Sequence, residues 1–144
     1  MKISEEMKEN IKDHLGYNND ELKIFLDNPR NMEVLSKSLP LLGKTIIAEV
    51  VESHGCNSQH KVGDKLYFDG AGNLLTKLCP NKICIYAISE LDKLIHSANE
   101  LFYVGSDPNE MRFKRTSCFD VGLKCGGWGQ IVFELKVVDR NKIK

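Results

Sequence analysis

An α+β fold built on a mostly antiparallel sheet is predicted by three features: the order of the segments, one β-branched run and one alternating run. Thr45-Ile46-Ile47-Ala48-Glu49-Val50-Val51 is apolar on both faces, as a central strand requires. Ile131, Phe133, Leu135 and Val137 alternate with Val132, Glu134, Lys136 and Val138, which suits a strand with one buried face. Between them, Ile83, Ala87, Leu91, Leu94, Ile95, Ala98 and Phe102 keep helical spacing. The expected architecture is a sheet of about four to five strands covered by one long helix, with an N-terminal layer of short helices. The expected boundaries are a helical segment over 1–41 and an α+β domain over 42–144.

The N-terminal segment is punctuated for three helices. Ser4 caps the first, Met7, Ile11 and Leu15 form its stripe, and Gly16 stops it. Asn18 with Glu21 three residues on makes a capping box for the second, which Pro29 ends. Asn31 is expected to cap the third, with Met32, Leu35 and Leu39 facing inward and Pro40 closing it. Beyond the first strand, Lys65-Leu66-Tyr67-Phe68 and Leu74-Leu75-Thr76 flank the turn Asp69–Asn73 and read as a hairpin. Asn81 is expected to cap the long helix, Ser89 is the place where it could break, and Gly105 ends it. Asp107-Pro108-Asn109-Glu110 reads as one helical turn, followed by a strand over 112–118 and a glycine-rich corner, Cys125-Gly126-Gly127-Trp128-Gly129.

With 144 residues, 42% hydrophobic and 28% charged, the chain can hold one domain with a core, or a small domain with an appended segment. Lys+Arg and Asp+Glu both count 20, so the basic excess of a nucleic-acid binder is missing. Arg112, Lys114 and Arg115 read as a solvated strand face. No stretch is apolar enough to span a bilayer, and Met1–Glu6 lacks an apolar signal core, so a cytoplasmic location is expected. The five cysteines are then expected as thiols, and their odd number precludes a complete disulfide framework within one chain.

The chemistry-bearing residues fall at the ends of elements. Ser53–Asp64 carries His54, Cys56 and His60 on one glycine-containing loop, and Cys79, Cys84, Cys118 and Cys125 follow in later loops or first helical turns. Cysteines that fill a core sit more often in mid-element. Cys84, expected in the first turn of the long helix, is favoured there as a thiolate. Three readings remain open. Cys56, Cys84 and Cys118, with Cys79, Cys125, His60 or His54, would bind zinc or an iron–sulfur cluster. Alternatively, Cys84 or Cys56 is a reactive thiol with His54 or His60 as its base. In the third, the thiols are inert packing groups and the loop is a turn. Asp64 would orient His60 or simply finish the Gly63 turn, and Asp120 is a further acid. Gly127 and Trp128 could admit a small ligand to the backbone and stack on it, or form a tight hairpin; the glycines do not follow the dinucleotide-binding pattern.

The set His54-Gly55-Cys56, His60-Lys61-Val62-Gly63-Asp64, Ile83-Cys84 with Ala87, and Cys118 with Asp120 resembles a group of small prokaryotic proteins with a Cys…His-Lys-x-Gly-Asp…Cys…Cys pattern and no assigned function. The likeness runs over about 45–138 and implies that Cys56, His60, Asp64, Cys84 and Cys118 act together. This chain has Asn57 and Phe119 where many members carry proline. The resulting expectation is a thiolate-rich metal or iron–sulfur site suited to redox or transfer chemistry, with Cys84, His60 and Asp64 carrying any catalysis. The alternative is a binding or accessory module that forms homo-oligomers through the N-terminal helices.

Overall fold

The computed structural model describes residues 3–143, apart from the side chain of Leu39, whose expected inward position therefore lies outside the described residues. The chain divides into two compact units, 1–39 and 40–144, and each is described by itself.

The first unit contains α1 (Glu5–Leu15), α2 (Asn19–Asp27) and most of α3 (Pro29–Leu42). Ser4 accepts the Met7 amide, and Gly16 closes α1 with φ 71°. The capping box at α2 is complete: Asn18 accepts the Glu21 amide and Glu21 accepts that of Asn18. Helix α3 begins earlier than its expected Asn31 cap, because Pro29 occupies the first helical position and Asn28 accepts the Arg30 amide. Asn31 lies inside the helix and donates to the Phe25 carbonyl at 3.0 Å. Pro40 sits in the last turn without ending it.

The second unit is a four-stranded antiparallel sheet of order β2-β1-β4-β3, from β1 (Lys44–His54), β2 (Lys65–Asp69), β3 (Arg115–Ser117) and β4 (Gln130–Asp139). The β-branched run is the interior strand β1, and it pairs with β4 from Lys44↔Asp139 to His54↔Gln130, with a register shift between Val50 and Glu52. Period-two alternation puts Ile46, Ala48, Val50, Leu66, Phe68, Ile131, Phe133 and Leu135 on one face, all buried. The expected return strand of the hairpin reduces to one bridge, Phe68↔Leu74.

The buried sheet face is covered by two helices, not one long one: α4 (Ile85–Ile88) and α5 (Leu91–Tyr103). Ala87, Leu91, Ile95 and Ala98 keep the inward stripe across the break. At the break the Ser89 hydroxyl donates to the Tyr86 carbonyl at 3.4 Å, so a side chain takes an acceptor the helical ladder would use. Asn109, in the turn Pro108–Glu110, then acts as a short extra strand: its side-chain amide donates to the Val137 carbonyl and accepts the Val137 amide, each at 2.9 Å.

Leu91 is 1% exposed, and truncation leaves a cavity its neighbours cannot fill. Leu91→Ala should lower stability by about 3 kcal/mol in urea unfolding. Ile24→Ala, at a side chain 73% exposed, should change it by no more than about 0.5 kcal/mol.

Candidate functional site

One end of the sheet carries a pocket of about 250 Å³ lined by Cys56, Cys84 and Cys118 together with His60, Ser58, Asp120, Trp128 and others. The β1–β4 ladder delivers two of its walls. Its last pair is His54↔Gln130, and the chains just past it touch. A Cβ on Gly55 would meet the Trp128 carbonyl at 2.8 Å, and one on Gly129 would overlap the Gly55 carbonyl. Glycine at both positions therefore lets the Cys56 loop and the Trp128 corner meet.

The Cys56 loop is tightly folded. The Gln59 amide donates to the Cys56 carbonyl at 3.0 Å, and Gln59 holds φ 62°, an uncommon conformation for a side-chain-bearing residue. That bend sends His60 inward to 6% exposure, where the Ser53 hydroxyl holds the His60 carbonyl at 2.7 Å. His60 Nε2 accepts the Cys84 amide at 3.2 Å, so this nitrogen carries no proton and is not free to take one from the thiol. The tautomer with the proton on Nδ1 faces Asp64 Oδ2 at 3.8 Å, beyond a direct hydrogen bond. Asp64 mainly closes its own turn, accepting the Lys61 amide at 2.9 Å.

Cys84 is itself the N-cap residue of α4, the place expected for Asn81. Its sulfur makes no formal capping hydrogen bond, but the amides of Tyr86 and Ala87 face it. Burial pushes the Cys84 thiol up, while the Ser58 hydroxyl and those two amides outweigh burial and hold it below the ordinary thiol value. Cys118 enters the pocket directly after β3. Its amide donates to the Ile131 carbonyl at 3.0 Å, and its sulfur accepts the Ile131 amide at 3.5 Å.

The Trp128 corner is organised by Asp120. Its carboxylate accepts the amides of Gly122 at 2.9 Å, Trp128 at 3.2 Å and Gly129 at 3.1 Å. The Gly122 and Gly129 amides, with a weaker contribution from Trp128, hold the carboxyl below its ordinary value against some desolvation. Gly127 serves this contact, since a Cβ there would overlap Asp120 Oδ1. Trp128 lines the pocket while remaining 74% exposed.

The other expected site residues lie elsewhere. His54 is exposed at the end of β1, and Cys125 is exposed in the turn Leu123–Cys125. Cys79 belongs to the sheet edge: its sulfur accepts the Tyr67 amide at 3.3 Å and donates to the Leu75 carbonyl at 3.3 Å. Neither His54, Cys79 nor Cys125 lines the pocket. Ser58 and Tyr86 do, without having been singled out in the sequence. Ser58 follows Cys56 by two residues, but nothing in the sequence aims it at Cys84. All five cysteines are free thiols, and among the described residues no group of three or more His, Cys, Asp or Glu side chains is arranged to hold a metal ion. Likewise, among the described residues no helix is long and apolar enough to cross a membrane.

No protein-family model matches the chain, and comparison with curated proteins and with solved structures finds no match.

Two measurements probe these contacts. The rate of Cys84 carboxamidomethylation, followed by peptide mass spectrometry against pH, should rise through a midpoint below the ordinary thiol value of 9.0, and Ser58→Ala should move that midpoint upward. The lowered Asp120 carboxyl contributes stability that is present above its ordinary value of 3.8 and lost as pH falls through the lowered one. Trp128 is the chain's single tryptophan, so its fluorescence should report an acid transition of the corner that Asp120→Asn abolishes.

Proposed function

We propose that the pocket is a reactive-thiol site in which Cys84 supplies the attacking thiolate. The observation that carries this reading is the environment of the Cys84 sulfur: a hydroxyl and two amides favour its anion at the wall of an accessible pocket. Cys56 and Cys118 line the same pocket and would be the thiols that react next. His60 then has a positioning role, holding the Cys84 amide through an imidazole that accepts rather than donates. Of the five residues that the sequence resemblance implies act together, Cys56, His60, Cys84 and Cys118 line this pocket, and Asp64 lies 3.8 Å from His60.

A second reading, thiolate ligation of zinc or an iron–sulfur cluster, is favoured by one observation: three cysteines distant in sequence line one pocket. The donors are chemically suited to a soft metal, but as placed they form no ion-holding group, so ligation requires their side chains to reorient.

Timed alkylation near neutral pH with site-resolved mass spectrometry, together with metal analysis of anaerobically purified protein, separates the two. A reactive thiol predicts metal-free protein in which Cys84 is modified roughly tenfold faster than Cys79, with Cys84→Ser removing the fast site. Stoichiometric zinc or iron that shields Cys56, Cys84 and Cys118 together would replace this reading with the second.

A further inference from the structure

The groups that line the pocket favour one sign of charge. Tyr86 and Trp128 are 64% and 74% exposed, so both rings stand largely open to solvent. The face of an aromatic ring is negative and attracts a cation. The Phe119 amide donates to the Tyr86 carbonyl at 3.0 Å, which ties the Tyr86 segment to the chain that leads into Asp120. Asp120 lines the same pocket, and its amide donors hold it below the ordinary carboxyl value, so it is an anion at neutral pH. Cys84 adds the anionic fraction of its thiol. Among the described residues that line the pocket, none is lysine or arginine, and the imidazole of His60 accepts an amide at Nε2 and so stays uncharged. A cation therefore meets rings and charge of the sign it needs, with no positive side chain to compete.

The hydrogen bonds decide which kind of cation. Asp120 Oδ1 accepts the Gly122 and Trp128 amides, and Oδ2 accepts that of Gly129 and, at 3.3 Å, that of Trp128. These contacts occupy about the four lone-pair positions a carboxylate offers. The charge remains, but little acceptor capacity does. A primary ammonium would give up hydrogen bonds to water and regain few from this carboxylate. An ammonium whose hydrogens are all replaced by alkyl groups has none to give up, and its methyl groups suit an aromatic surface. A volume of about 250 Å³ lies below the usual range for drug-sized ligands, which limits the ligand to a compact body. Resting on the reactive-thiol reading, we infer that the ligand received beside Cys84 carries a compact, peralkylated ammonium group, seated against Tyr86 and Trp128 with Asp120 as its counter-charge. Binding of that group makes and breaks no bond, so it is measurable apart from any chemistry at sulfur.

Choline tests this against two comparison molecules: its neutral analogue with tert-butyl in place of trimethylammonium, and ethanolamine, which keeps the charge as a primary ammonium. Binding to the full chain is read from Trp128, the single tryptophan, by fluorescence titration at constant ionic strength. Choline should saturate and bind roughly tenfold more tightly than either comparison molecule. Bound choline should also slow carboxamidomethylation of Cys84 but not of Cys79, which lies outside the pocket. Tyr86→Ala, at an exposed position, should weaken choline binding about threefold, and Tyr86→Phe, which keeps the ring, should hold it near the starting value. Equal affinity for the neutral analogue or for ethanolamine, no saturable response to choline, or choline binding that leaves Cys84 unprotected would overturn the inference. None of those results touches the reactive-thiol reading, which stands or falls on whether Cys84 is alkylated faster than Cys79 without choline. A slow Cys84 beside tight, selective choline binding would remove that reading and leave the cation site standing alone.

Discussion

Two glycines meeting without side chains make the rest of the site geometry possible. Gly55 leaves β1 and Gly129 enters β4 at the end of a ladder that runs from Lys44↔Asp139 to His54↔Gln130. Because neither carries a Cβ, the backbones come closer there than any other residue would permit. The loop bearing Cys56, Ser58 and His60 is thereby pressed against the corner bearing Trp128, and both border the start of α4, where Cys84 sits. The long β1–β4 pairing is buried on its core face by Ile46, Val50, Ile131 and Phe133, so the glycine contact rests on a rigid base.

The polar groups around the pocket are mostly employed in shaping it. His60 gives its lone pair to a backbone amide, Asp64 closes a turn, and Asp120 gathers three amides. What remains for chemistry is sulfur, with a hydroxyl and two amides biasing one thiol toward its anion. A thiol biased in this way depends less on a nearby base for its activation, which fits an imidazole whose Nε2 already accepts the Cys84 amide.

Much of the scaffold was legible because its signals are local. Ser4, Gly16 and the Asn18–Glu21 pair act within a few residues of themselves, and the alternation of β4 reports its buried face directly. The break after Ile88 was marked only by Ser89, because the buried stripe continues in phase across it. Asn31 and Asn81 are good capping residues by type, yet proline at position 29 and the thiol of Cys84 take the caps. At the site, chain order flagged Cys56, Cys84 and Cys118 but could not separate them from Cys79. That distinction depends on where β2 lies in the sheet, a long-range fact with no local signature.

Strand β2 lies at the border of the sheet, where unpaired amides and carbonyls can recruit a strand from another molecule. Here the groups of Tyr67 and Asp69 are already spoken for. The Tyr67 amide meets the Cys79 sulfur, the Tyr67 carbonyl takes the Leu75 amide, and the Asp69 amide goes to the Asn73 carbonyl. Cys79 thus helps to blunt this margin: oxidation or bulky alkylation of that one sulfur would free the Tyr67 amide for a strand from another molecule, at a place outside the pocket that Cys56, Cys84 and Cys118 line.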